Sequence, residues 1–283
     1  MIWEAPAKIN LTLEVRPPER DGMHPLRSLV QAIDWCDLLE VEEDDEDRLE
    51  VTGADLPDNG DNLVWKAVSA LRQRLGQDRP KLYIKLNKAI PGAAGLGGGS
   101  SDAAASMLAL AELRKSSVSI IEEVAPTVGA DVPFFLVGGT AWIKGYGERI
   151  TKARIDTDSW ALAIAVPDFE LRTEDVYRAW DRLESPTGPG LDGRSLPPVL
   201  REHGPLRNDL TPGAMALRPE LGDWLNDVAE LWERPVAMSG SGPSLFAFFA
   251  DIDEAEGAVR ALPKSIWASR AGKPRHTGAV RVS

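Results

Sequence analysis

The chain has 283 residues, with 32 Lys and Arg against 44 Asp and Glu for a net charge of −12, and it is 43% hydrophobic and 27% charged. This is the make-up of a globular protein of about two domains, long enough to bury its core without covalent staples. Its single cysteine, Cys36, excludes an internal disulfide and fits a small core residue in a cytoplasmic protein; the acidic balance excludes a broad nucleic-acid binder, and neither a signal peptide nor a membrane-length apolar run is visible.

Ile9, Leu11, Leu13 and Val15 alternate with Lys8, Asn10 and Thr12, which predicts a half-buried strand. Leu38-Leu39 leads into six consecutive acids, Glu42 to Asp47, read as a solvated turn with Leu49 and Val51 on the returning strand. Asp61 or Asn62 can cap a helix whose apolar stripe is Val64, Val68, Leu71 and Leu75. Leu82, Ile84 and Leu86 alternate as a strand, the run Gly92 to Gly99 follows, and Ala103 to Leu113 has the composition of a buried helix. Gly138-Gly139 and Gly145-Tyr146-Gly147 punctuate a strand region. Ala161 to Val166 reads as a buried strand, Ser185 to Gly193 as a loop, Leu221 to Trp232 as a late helix, and Phe246 to Phe249 as a buried strand after a turn at Gly240 and Gly242. Strands and helices mix without a βαβ rhythm, which predicts an α+β fold. The polar stretch Thr151 to Ser159 suggests a boundary, with domains of residues 1–155 and 156–283.

The strongest chemical signal is Pro91 to Ala105, PGAAGLGGGSSDAAA. Five glycines in eight residues, between a strand and a helix, are costly in backbone entropy but let amides approach a ligand closely. At a helix N-terminus such amides favour phosphate oxygens, and Ser100 and Ser101 are placed to cap the helix or donate to phosphate. The run is not a P-loop, because Gly98 stands where a lysine is required, and not a dinucleotide fingerprint, because Ser100 replaces the third glycine. The preceding strand carries Arg79, Lys81, Lys85 and Lys88 and no acid. Arg79 and Lys81 suit a solvated face, and Lys88, close before Pro91, is the phosphate or nucleotide candidate. Lys8 and Asn10 share one face of the first strand. Asp131, in Gly129 to Phe135, is ringed by small and apolar residues, and on local grounds a helix-cap or turn role fits it as well as catalysis. Met238 to Ser244 is a second glycine-serine loop, which a plain turn also explains.

Taken in order, the PAKINLTL strand, the GLGGGSSDAA loop and the SGSGPSLFA loop resemble the GHMP kinase superfamily, over a span from about Trp3 to Ala250. Pro6 to Leu11, Asp21-Gly22-Met23-His24, Gly97 to Gly99 and Gly129 to Phe135 bring the resemblance nearest to the branch that acts on a cytidine diphosphate-linked methylerythritol in non-mevalonate isoprenoid precursor synthesis. The resemblance implies a two-domain α+β fold: a ribosomal protein S5 domain 2-like N-terminal domain with a left-handed crossover, a ferredoxin-like C-terminal domain, and the active site between them. It implies ATP-dependent phosphorylation of the 2-hydroxyl of that substrate, with ATP and Mg²⁺ as cofactors, in a monomer or weak homodimer with no nucleic-acid or membrane partner. The alternative is another small-molecule kinase of the superfamily, such as homoserine or mevalonate kinase.

The resemblance also implies residue roles. Asp131 takes the proton of the substrate hydroxyl, Lys8 holds that aspartate and the attacking oxygen, and Asn10 assists. Pro91, Gly92, Ala93, Ala94, Gly95, Leu96, Gly97, Gly98, Gly99, Ser100 and Ser101 hold the ATP phosphates, with Asn62 and Lys88 nearer the nucleotide and Ser101 and Asp102 on the metal side. His24, Thr173 and Tyr177 receive the cytidine end. The chain departs from the family pattern at Met23, where an aromatic is common, at Ala130, where serine is common, and in a short stretch from Leu113 to Val128.

Overall fold

In the computed structural model, which describes residues 1–283 apart from Arg20, Asp21, Gln77 and Arg79, the alternating N-terminal segment forms β1 (Ile2–Val15), paired antiparallel with β2 (Leu26–Asp44). Every residue of β1 from Ala5 to Leu13 is buried, so the strand is covered on both faces and not, as its alternation predicts, on one. Its pairing with β2 shifts between Pro6↔Cys36 and Ala7↔Ile33, which leaves Asp34 and Trp35 of β2 as extra residues there. Trp3 and Ala5 pack into one core, whereas Ala7, Ile9 and Leu11 pack into another.

Next come β3 (Arg48–Thr52), α1 (Leu63–Leu75) and β4 (Lys81–Asn87). The chain does not return from the acidic run onto β2: β4 lies between, antiparallel to β2 and parallel to β3. Parallel neighbours need a crossover, and α1 supplies it. Nor is the acidic run wholly solvated. Asp47 accepts hydrogen bonds from both Arg72 guanidinium nitrogens at 2.8 and 2.9 Å and from the Leu82 amide, and it pairs with Lys81 at 3.3 Å. The cap of α1 is Asn62, whose side chain accepts from the Val64 amide.

The glycine run opens directly into α2 (Gly98–Arg114), which begins at Gly98 and not at Ala103. Then follow α3 (Val118–Val128), α4 (Val132–Val137), β5 (Thr140–Gly145) and β6 (Arg149–Lys152). Val64, Val68 and Leu71 of α1, the alanines of α2, Ile121 of α3, and Phe134 and Phe135 of α4 share one core with the sheet. The alanine content lets α2 lie close against its neighbours.

The remaining elements are β7 (Ala161–Pro167), α5 (Thr173–Arg182), β8 (Gly190–Leu191), β9 (Leu206–Arg207), α6 (Thr211–Leu217), α7 (Glu220–Leu231), β10 (Ala237–Met238), β11 (Leu245–Phe249), α8 (Ile252–Ala261), β12 (Ile266–Gly272) and β13 (Val280–Arg281). Among the described residues the strands form a seven-stranded sheet, ordered β13-β1-β2-β4-β3 with β5 on β2 and β6 on β5, and a four-stranded sheet ordered β10-β11-β7-β12. The segment read as a loop, Ser185 to Gly193, contains β8, which pairs with β9.

All of β7 and β11 is buried. One face, with Leu162, Ile164 and Phe246, meets Ile9 and Leu11 of β1. The other, with Ala163, Ala165 and Leu245, meets Trp180 of α5, Ala214 of α6 and Val228 of α7. The middle core therefore glues the two sheets together and fixes the second glycine-serine loop against β1. Cys36 is half-buried rather than core; burial pushes its thiol up to about 11, although the Arg275 guanidinium donates to the sulfur at 3.1 Å. Among the described residues, no helix is long and apolar enough to cross a membrane.

Candidate active site

A cleft of about 860 Å³ opens where β1, the loop before α2, the turn before α4, and α5 converge. At its floor the Lys8 ammonium donates to Asn10 Oδ1 at 2.6 Å and lies 3.5 Å from Asp131 Oδ2. The strand period of two puts Lys8 and Asn10 on the same face. The Asn10 amide has one orientation, because its Nδ2 donates to Ser28 Oγ at 2.8 Å and Ser28 in turn donates to the Thr12 carbonyl at 2.6 Å. Asp131 occupies the cap position of α4, yet its side chain makes no capping hydrogen bond and is 42% exposed toward the cleft that it lines. The helix-cap reading of this aspartate therefore fails.

Backbone bonds clip the three sequence motifs together. The Lys8 amide donates to the Leu96 carbonyl at 2.8 Å. The Asn10 amide donates to Ser239 Oγ at 3.1 Å, and that hydroxyl donates to the Gly95 carbonyl, also at 3.1 Å.

Pro91 to Gly95 and Gly97 to Ser100 line the cleft. Gly97, the residue before α2, has φ +74°, and a Cβ there would stand 2.8 Å from the Phe135 ring and 3.1 Å from Lys8 Cγ. No side chain caps α2, which leaves its first-turn amides for an anion. Two members of the expected phosphate set lie elsewhere: Leu96 and Ser101 are 1% and 0% exposed, beneath the loop.

The two polar groups assigned nearer the nucleotide are likewise engaged. Lys88 borders the cleft, but its ammonium is held by Asp37 and, at 2.6 Å, by Asp102 Oδ2. Asp37 is itself pinned by the amides of Ala89 at 2.6 Å and Ile90 at 2.8 Å. Burial pushes the Asp102 carboxyl up to about 7, opposed by the Lys88 charge and reinforced by Asp37. Asn62 is taken up by its cap and by donation to the Pro57 carbonyl at 2.7 Å.

One end of the cleft is aromatic. The His24 and Tyr177 rings are 4.8 Å apart, Trp180 meets His24 edge-on at 5.8 Å, and His24 Nε2 lies 2.9 Å from Asp181 Oδ1. Tyr177 lines the same cleft as Lys8 and Asp131, and burial, then the negative charge of Asp131, raise its hydroxyl above the usual phenol range. Thr173 Oγ1 and Ser241 Oγ are 2.9 Å apart at its rim. Met23, 51% exposed, borders the same end. Asp21 and Arg79 lie outside the described residues.

Sequence reasoning missed three of these residues. Asp181 was open to discovery, since it falls four residues after Tyr177 on one helix and so shares its face. Ser241 lay within a motif already singled out. Asp37 had no local signal, because only the sheet brings it under Lys88.

Two family models match the chain: GHMP kinases N terminal domain over residues 62–139 and GHMP kinases C terminal over residues 192–267. A 4-diphosphocytidyl-2-C-methyl-D-erythritol kinase of Geobacter metallireducens is 37% identical over 266 residues, covering 93% of this chain and 94% of that protein. A crystal structure of 4-(cytidine 5'-diphospho)-2C-methyl-D-erythritol kinase superposes with a TM-score of 0.80 at 37% identity, covering 97% of this chain and 99% of the other. Homoserine kinase from Cytophaga hutchinsonii shares the fold, with a TM-score of 0.72 at 18% identity over 99% of this chain and 96% of its own.

Proposed function

Because this chain belongs to the GHMP kinase family, we propose that it transfers a phosphoryl group from ATP to the 2-hydroxyl of 4-diphosphocytidyl-2-C-methyl-D-erythritol. It is an ATP-dependent small-molecule kinase with a two-domain α+β fold. The observation that carries the reading is the position of the Lys8–Asp131 pair. The Lys8 amide is bonded to the glycine loop at the Leu96 carbonyl, and Lys8, Asp131 and Tyr177 line the same cleft. A phosphate-binding loop, a proton acceptor and an aromatic platform thus share one cleft.

In-line phosphoryl transfer needs positioning and charge stabilisation more than covalent help. The exposed carboxylate of Asp131 accepts the proton of the attacking hydroxyl. Lys8, held by Asn10, keeps its ammonium where negative charge grows on the transferring oxygens. The amides of Gly97 to Ser100 hold the ATP phosphates, and Tyr177 and His24 stack and contact the base.

Among the described residues, no three His, Cys, Asp or Glu side chains cluster to hold a metal ion. Ser101 and Asp102, expected on the metal side, are buried away from the cleft, with Asp102 bonded to Lys88; among the oxygen groups that do line the cleft, Asp131 and Ser100 would fit a Mg²⁺ that arrives on ATP, since this ion is commonly held by one or two carboxylates and substrate phosphates. Bound there, the ion would supply charge neutralisation at the phosphate oxygens.

The test is to mix pure protein with ATP, Mg²⁺ and each candidate acceptor. Phosphorylation of the cytidylyl compound is expected. Phosphorylation of homoserine or mevalonate without it overturns the assignment.

A further inference from the structure

Proton transfer and phosphate binding, as described, make no use of the contact between His24 and Asp181. We propose that Asp181 is a positioning residue that locks His24 in the tautomer with an open lone pair on Nδ1, and that this makes the cleft choose cytosine over uracil. The inference rests on reading the aromatic end of the cleft as the base site.

A carboxylate can only accept a hydrogen bond. With Asp181 Oδ1 at 2.9 Å, Nε2 must be the nitrogen that carries the proton. In a neutral imidazole the other nitrogen is then an acceptor. Nδ1 bonds to no described residue and is not among the sealed, unpartnered atoms of the interior, and the ring lines the cleft. The ring is also held in place, with Tyr177 against it at 4.8 Å and Trp180 edge-on at 5.8 Å. Its side chain is 12% exposed against 35% for Asp181, so the hydrogen bond is partly shielded from water.

Cytosine and uracil stack almost alike, so Tyr177 cannot distinguish them. They differ at position 4, where cytosine carries an amino donor and uracil a carbonyl acceptor, and at N3, an acceptor in cytosine and an N–H donor in uracil; it is position 4 that is set against Nδ1 here. An Nδ1 lone pair bonds the amino group and leaves the carbonyl facing a second acceptor, desolvated and unpaired. Accepting uracil would require the proton to move to Nδ1. That would set the Nε2 lone pair against Asp181 Oδ1, so the carboxylate enforces the choice.

The experiment measures the dissociation constants of CDP and UDP by calorimetry for the wild type, Asp181→Asn and Asp181→Glu, at about pH 8 where free imidazole is neutral. The wild type is expected to prefer CDP by on the order of ten- to a hundredfold. Asn can donate as well as accept, so Asp181→Asn frees the tautomer and the preference falls to within a few-fold; Asp181→Glu, still acceptor-only, retains most of it. Parallel kinetics should place the loss in Asp181→Asn on the KM of the cytidylyl substrate more than on kcat. A purely structural role would weaken CDP and UDP equally and leave their ratio intact, and that result overturns the inference, as does a wild type that binds both alike. A wild type that fails to phosphorylate the cytidylyl compound overturns the function proposed above; a wild type that phosphorylates it while Asp181→Asn keeps the full preference overturns this inference alone.

Discussion

Lys8 Nζ stands 3.5 Å from Asp131 Oδ2 while Asn10 Oδ1 holds it at 2.6 Å. The ammonium is buried at the floor of the cleft and the carboxylate is open to it, so the cation is fixed and the anion is free to meet a hydroxyl. This division of labour follows from where each comes from: Lys8 from a strand covered on both faces, Asp131 from the turn before a short helix.

Asp131→Asn keeps the shape of the site and removes the proposed proton acceptor. Its kcat is expected to fall by roughly 10²–10⁴-fold, with the KM for ATP little changed, because the loop amides proposed to hold the phosphates are untouched. Steady-state kinetics check this, and unimpaired turnover would remove Asp131 from the role.

Tyr177→Ala removes the stacking platform beside His24. Loss of base stacking is worth about 1–3 kcal/mol, so the KM for the cytidylyl substrate should rise by about tenfold while that for ATP stays nearly constant. An equal rise in both would mean general damage to the cleft.

Gly97→Ala is a test of the loop. At φ +74°, with Phe135 and Lys8 in the way of a Cβ, the backbone and two neighbours must shift at a cost of about 1–3 kcal/mol. The expected outcome is a lower Tm together with weaker ATP binding, read by calorimetry and ATP titration. A variant with unchanged ATP affinity would show that the loop conformation is not needed for phosphate.

The Asp37–Lys88–Asp102 cluster predicts a pH effect on stability. The folded-state pKa of Asp102, about 7, lies above its ordinary value of 3.8. The native state therefore holds this proton more tightly than the unfolded chain does. The stabilisation is full below the ordinary value and is lost as pH rises through about 7. Asp102→Asn carries no such titration. The Tm of the variant minus that of the wild type should therefore be more positive at pH 8 than at pH 5, and a difference independent of pH would contradict the buried, proton-holding carboxyl.

Much of the site could be read from the chain. The glycine run opening into α2, the Lys8–Asn10 spacing, Asn62 as a helix cap and the buried strands β7 and β11 all follow from local rules of a few residues. Other features could not. That β4 separates β2 from β3 is a matter of strand pairing between distant segments, and the returning-strand reading had no local reason to fail. Lys88 pointed toward phosphate by its place before the loop, yet Asp37 and Asp102 claim its ammonium beneath it. The register shift of β2 opposite Pro6 and Ala7, and the burial of Lys8 two residues into it, leave no mark in the alternation of β1 itself.

By itself the sequence determined the family and the α+β character and singled out the glycine loop, Lys8 and Asp131 as site candidates, because backbone periodicity, glycine content and short motifs are encoded over a few residues. Only the tertiary structure decided that the Asp131 side chain leaves its helix uncapped, that Lys88 and Asn62 are engaged by other groups and Ser101 is buried, and that Asp181 holds His24. Each of those outcomes depends on which distant group satisfies a buried charge or hydrogen bond, and that partner is chosen by packing across sheets and helices, not by neighbours in the chain.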